Sequence, residues 1–158
     1  MYAKKGFPDL NLPVCELRLA GTAEHPTVFD QLRNRYVALT PEEWVRQHFV
    51  NYLIAVKSYP ITRLANEILL RVGDKTLRAD SVVYDADLQP KMIVEYKAPT
   101  VKITQKTFDQ ISAYNTLLHV DYLVVSNGLT HFCCQINHAD NQLIFIDELP
   151  DYQTLTKQ

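Results

Sequence analysis

Asp80, Glu95 and Lys97 are the residues of this chain whose types and spacing best suit chemistry. They lie on two β-rich runs, residues 78–84 and 91–97, around the polar stretch Asp85-Ala86-Asp87-Leu88-Gln89-Pro90. Two such runs flanking a turn predict a hairpin. Period-two alternation sets Glu95 and Lys97 on one face and Tyr96 on the other. A carboxylate and an ammonium on a buried strand are costly unless they pair or bind something. Asp80, across the hairpin, completes an acidic pair with Lys97 beside it. That trio is either an internal salt bridge or a site that binds a ligand.

The elements that must position it are legible on both sides. Before it, Thr40 is an N-cap, Pro41 suits the first helical position, and Glu43 completes a capping box. The stripe Val45, Phe49, Tyr52, Leu53 and Val56 has helical period, and Glu42 falls on it. Glu43 is therefore expected to serve the cap, and Glu42 to point toward the interior or its rim. Arg46 stands one turn after Glu42 and can pair with it. Asn66–Val72 reads as a first strand, Leu77–Tyr84 as a second and Lys91–Tyr96 as a third, the last apolar on both faces.

After Ala98-Pro99-Thr100, a helix capped by Thr104 or Thr107 carries Phe108, Ile111 and Leu118. Gln110 and Tyr114 share one of its faces, an ordinary polar surface or a reach toward the Lys97 region. Val120–Ser126 and Thr130–Ile136 read as antiparallel strands around a two-residue Asn127-Gly128 turn, with one more strand over Gln142–Ile146. Residues 1–39 are a lead-in in which Leu12–Leu19 reads as a strand and Gly21–Pro26 as a loop. Arg33 and Arg35 there suit a solvated face or a phosphate contact. Residues 148–158 are a short helix or a tail. The expectation is one domain of 158 residues, with an α/β (α+β) core over 40–147: a central mixed sheet flanked by helices.

Composition narrows the function classes. A hydrophobic content of 47% suits a globular core, and a net charge of −2 provides no overall basic field for nucleic acid. Cys15, Cys133 and Cys134 have neither CxxC nor Cys/His zinc spacing, so free thiols in a reducing compartment are expected. No apolar run approaches the ~20 residues that span a bilayer, and the start lacks a signal-peptide core. A cytoplasmic location without membrane contact follows as the expectation.

Together these segments resemble a known family. Leu39–Gln47, Arg78–Tyr84, Val94-Glu95-Tyr96-Lys97-Ala98-Pro99, Gln110–Tyr114 and Ser126-Asn127-Gly128 are similar to the PD-(D/E)xK nuclease superfamily. More closely, they resemble the N-terminal nuclease domain of type I restriction enzyme R subunits. The pattern departs at Ala79, where the family's PD pair has proline. The R subunit resembled also continues into helicase motor domains, and no Walker A sequence occurs in this chain.

The resemblance implies a restriction-endonuclease-like fold and Mg²⁺-dependent phosphodiester hydrolysis, with Mn²⁺ as a substitute. Asp80 and Glu95 would be the metal-binding acids, and the Tyr96 carbonyl a third oxygen. Lys97 would orient or deprotonate the attacking water. Glu42 would support the site through a water, and Gln110 and Tyr114 would position the Lys97 region or a phosphate.

A basic groove would come from Arg33, Arg46, Arg78 and Lys102. The implied partners are nucleic acid, DNA in the family resembled, and a separate motor or specificity protein; a homodimer is a further possible assembly. The residues themselves do not separate DNA from RNA, because no aromatic-basic stacking motif appears. The alternative is an inactive nuclease-fold module that holds nucleic acid or a protein. A third reading is a metal-dependent enzyme acting on another phosphoester, RNA included.

Overall fold

The computed structural model describes residues 6–157, with the side chains of residues 72 and 113–117 outside that description. Its centre is a six-stranded sheet in the order β4-β5-β6-β7-β8-β9. The strands are β4 (Leu64–Val72), β5 (Lys75–Tyr84), β6 (Pro90–Tyr96), β7 (Tyr122–Ser126), β8 (His131–Asn137) and β9 (Gln142–Ile146). All neighbours are antiparallel except β6 and β7, which α2 (Gln105–Leu118) connects as a parallel pair. A parallel pair needs such a crossover. Helix α1 (Pro41–Ala55) covers one face, packing Val45, Phe49 and Leu53 on Val83, Met92, Val94 and Tyr96. Helix α2 covers the other, with Phe108 and Ile111 on Val82, Ile93, Leu123 and Val125. This is the expected mixed sheet flanked by helices, and Met92–Val94 of β6 and Tyr122–Val125 of β7 form apolar runs because both of their faces are covered.

Three local readings are corrected. Leu12–Leu19 is irregular up to Arg18, and the lead-in instead holds a second sheet of three strands: β1 (Leu19–Gly21), β2 (Pro26–Asp30) and β3 (Arg35–Ala38). Its inner side buries Val28 beside Leu39 and Trp44. Short strands of three to five residues with mixed polarity give little periodic signal.

The Asn127-Gly128 pair does not make a two-residue turn. Ser126 pairs with His131, leaving four residues between the strands. The Asn127 side-chain oxygen accepts from the amides of Leu129 and Thr130 at 3.0 and 2.8 Å. Gly128 is required there, since a Cβ at its φ of +84° would lie 2.7 Å from Leu10 Cδ2.

The cap of α1 is only half of a capping box. Thr40 Oγ1 accepts from the Glu43 amide at 3.1 Å, but the Glu43 carboxylate is engaged elsewhere. At the far end, α3 (Tyr152–Thr156) is capped by Asp151 and buries Leu155 in the core beneath α1, so the expected short helix forms.

Candidate active site

The site sits where β5 and β6 diverge. Their ladder ends with Ser81 opposite Val94, so Asp80 falls opposite Glu95 just beyond the last paired residues. Here the Tyr96 amide donates to Asp80 Oδ2 at 2.9 Å instead of to a backbone carbonyl of β5. Lys97 Nζ lies 3.8 Å from Glu95 Oε1, with the two side chains 32% and 21% exposed. Tyr96 points the other way, as alternation requires. Its phenol donates to Ser81 Oγ at 2.8 Å, and its ring meets Phe49 at 5.8 Å. Burial first, then the neighbouring Asp80 carboxylate, push the Glu95 carboxyl up to about 7, against the pull of Lys97. Two acids so placed call for a proton or a cation between them.

Arg46 is the hub beneath this pair. It is 5% exposed and donates to the Asp80 carbonyl at 3.0 Å and to Glu67 Oε1 at 2.5 Å. Its Nε lies 3.3 Å from Glu43 Oε2. Glu43 also accepts from Arg33 at 2.6 Å and from Gln47 at 3.0 Å. Arg33 reaches back to Asp30 at 2.6 Å, and Asp30 accepts from Asn66, which itself accepts from Ser81. A continuous polar chain thus ties the small sheet, α1 and the central sheet to the site. Glu67 holds a φ of +55° in the middle of β4, in the left-handed region that a glutamate rarely occupies. Its second oxygen takes Arg78.

These groups line a cleft of about 470 Å³ that contains Arg33, Glu42, Glu43, Arg46, Glu67, Arg78, Asp80, Glu95, Tyr96 and Lys97. Asp80, Glu95, Tyr96 and Lys97 are therefore brought together as expected. Glu42 lies exposed at the rim, while Glu43 is the buried acid of the first helical turn. Arg46 pairs with Glu43 and Glu67 rather than with Glu42.

Among the described residues the expected basic groove is not built. Arg33 and Arg46 are committed to carboxylates, Arg78 has an exposed side chain paired to Glu67, and Lys102 is exposed outside the cleft lining. Gln110 is exposed on α2 and also absent from the lining. The side chain of Tyr114 lies outside the described residues. Glu43 and Glu67 also line the cleft, beyond the site residues expected from the sequence. The signal for Glu67 was a charge inside the apolar run of β4, which is rarely tolerated without a purpose.

Among the described residues no group of three or more His, Cys, Asp or Glu side chains gathers to hold a metal unaided. The Asp80–Glu95 pair still fits Mg²⁺, which takes one or two carboxylates and keeps several waters.

The family model described as type I restriction enzyme R protein N terminus (HSDR_N) matches residues 41–150. The fold is similar to a fragment structure assigned to the HsdR subunit of a type I restriction enzyme from Vibrio vulnificus YJ016. That likeness has a TM-score of 0.53 at 14% identity, covering 74% of this chain and 24% of that one. The chain thus spans about a quarter of the length of that structure. No curated protein matches the chain.

Proposed function

The chain belongs to the type I restriction enzyme R protein N-terminus family, and from its site we propose that it hydrolyses phosphodiester bonds of nucleic acid, DNA foremost. The observation that carries this reading is the Asp80–Glu95 carboxylate pair with Lys97 Nζ beside it, at the mouth of a cleft. In this reading Asp80, Glu95 and the Tyr96 carbonyl would hold Mg²⁺ or Mn²⁺. The ion, when bound, supplies charge stabilisation on the phosphoryl oxygens and lowers the pKa of water.

The chain's own residues do the rest. Lys97 Nζ orients the attacking water and offsets charge that develops in the transition state. Arg46 fixes the backbone of Asp80, and Glu67 and Glu43 fix Arg46. Glu42 supports the rim through a water. Gln110, away from the cleft lining, is left a phosphate contact, with Arg78 and Lys102 as further ones. The same reading places the work in the cytoplasm as one domain, beside the motor and specificity functions of a restriction system.

A second reading, a module that binds without cutting, draws support from the acid excess of the cleft. The test is plasmid nicking in Mg²⁺ by the parent, Asp80→Asn and Lys97→Ala, with divalent binding followed on the same samples. Nicking that both substitutions abolish, with divalent binding kept in Lys97→Ala, supports catalysis. Nicking by Lys97→Ala at the parental rate contradicts the assigned roles, and a parent that binds DNA without nicking it favours the module.

A further inference from the structure

Arg18, Phe29 and Tyr36 come from three separate strands or strand ends, yet form one row on the outward face of the small sheet. Phe29 pairs with Tyr36 in the β2–β3 register, and the Phe29 amide donates to the Arg18 carbonyl at 2.8 Å. The Arg18 guanidinium sits 4.5 Å over the Phe29 ring. Phe29 and Tyr36 meet edge to face at 5.3 Å and 68°. Tyr36 is 47% exposed, while the opposite face of the same sheet buries Val28 and Asp30 completely. The row is therefore not needed to close a core. The next row on this outward face is Ala20, Thr27 and Ala38, whose small side chains leave a flat floor beside the aromatic pair. Ala38 also lines the active cleft, so the platform and the cleft are continuous.

We propose that Arg18, Phe29 and Tyr36 form a stacking platform for unpaired bases of a nucleic-acid strand that leads into the cleft. This rests on the hydrolytic reading of the cleft and deepens it. The exposed Tyr36 ring, the half-buried Phe29 ring and the arginine plane stacked on it suit base faces, which only an unpaired strand presents. The need is visible in the cleft, where Arg33 and Arg46 are spent on carboxylates and provide little attraction for phosphate. Stacking supplies affinity that charge there does not. No local run of sequence encodes the platform, because its members lie at positions 18, 29 and 36 and only strand pairing aligns them.

The test uses the full chain carrying Asp80→Asn, to prevent cleavage, with Tyr36→Ala, Tyr36→Phe or Arg18→Ala added. Binding of a labelled oligothymidylate of about 15 nucleotides is followed by fluorescence anisotropy, beside a duplex of equal length and an oligouridylate. The expected result is a loss of about tenfold or more for the single strand in Tyr36→Ala, with Tyr36→Phe close to the parent and duplex binding unchanged. Preference for thymidylate or uridylate tells DNA from RNA, and either supports the platform. Single-strand binding unaffected by Tyr36→Ala, equal losses for strand and duplex, or no strand binding by the parent overturns it. Hydrolysis of bis(p-nitrophenyl) phosphate by chains with intact Asp80 reads the cleft separately. Its absence alongside Tyr36-dependent strand binding defeats the hydrolytic reading and leaves the platform standing.

Discussion

The Tyr96 amide donates to Asp80 Oδ2 at 2.9 Å, so the first acid of the site caps the strand that carries the second. Structure and charge are thereby separable at Asp80. Asparagine keeps an acceptor for the Tyr96 amide and removes the charge, whereas alanine removes both. Asp80→Asn should leave stability near the parental value, and Asp80→Ala should lower it by about 1 kcal/mol. Both should lose divalent binding and hydrolysis. Chemical denaturation of the two variants beside the parent checks the split.

Glu95 makes stability depend on pH in a set direction. Its folded-state pKa of about 7 lies above the ordinary 4.5, so its proton favours the folded state. That contribution is complete below about pH 4.5 and is lost as the pH rises to about 7. Glu95→Gln should therefore unfold at higher denaturant than the parent at pH 8, by on the order of 1–2 kcal/mol after allowance for partial solvent contact. Between pH 8 and pH 5 the difference should shrink, as urea midpoints across that range would reveal. A divalent ion competes with the same proton, so hydrolysis should rise with pH through this window.

Arg46 should behave as a structural residue and not as a DNA contact. Replacing it with methionine takes one charged partner from the buried Glu43, which keeps Arg33, and one from the half-buried Glu67, which keeps Arg78, at a cost of roughly 3 kcal/mol. Arg78→Ala, with its exposed side chain, should cost under about 1 kcal/mol. If Arg78 touches phosphate in the DNA complex, Arg78→Ala should also reduce the salt dependence of DNA binding by about one ion. Denaturation of the free proteins and salt titration of the complexes distinguish these roles.

Much of this site was readable because it depends on local pattern. The Asp80–Lys97 hairpin, the Thr40 cap and a mixed sheet with a helix on each face all follow from turn residues and periodicity. The exchange of Glu42 for Glu43 did not. A single apolar stripe presumes a helix with one buried face, but residues 43–50 of α1 are all buried, because the small sheet and N-terminal segment cover the other sides. Arg33 looked like a surface charge for the same reason. Its partners, Asp30 and Glu43, become neighbours only once that sheet folds onto α1. Glu67 and the aromatic row likewise depend on long-range pairing.

Every role assigned in the cleft depends on Asp80 and Glu95 forming a divalent-ion site. Calorimetric titration of Mn²⁺ into the parent and into Asp80→Asn at pH 8 tests it most directly. The expected result is a saturable heat in the parent that Asp80→Asn abolishes while remaining folded by circular dichroism. Equal heats in both proteins, or none in the parent at millimolar Mn²⁺, would contradict it.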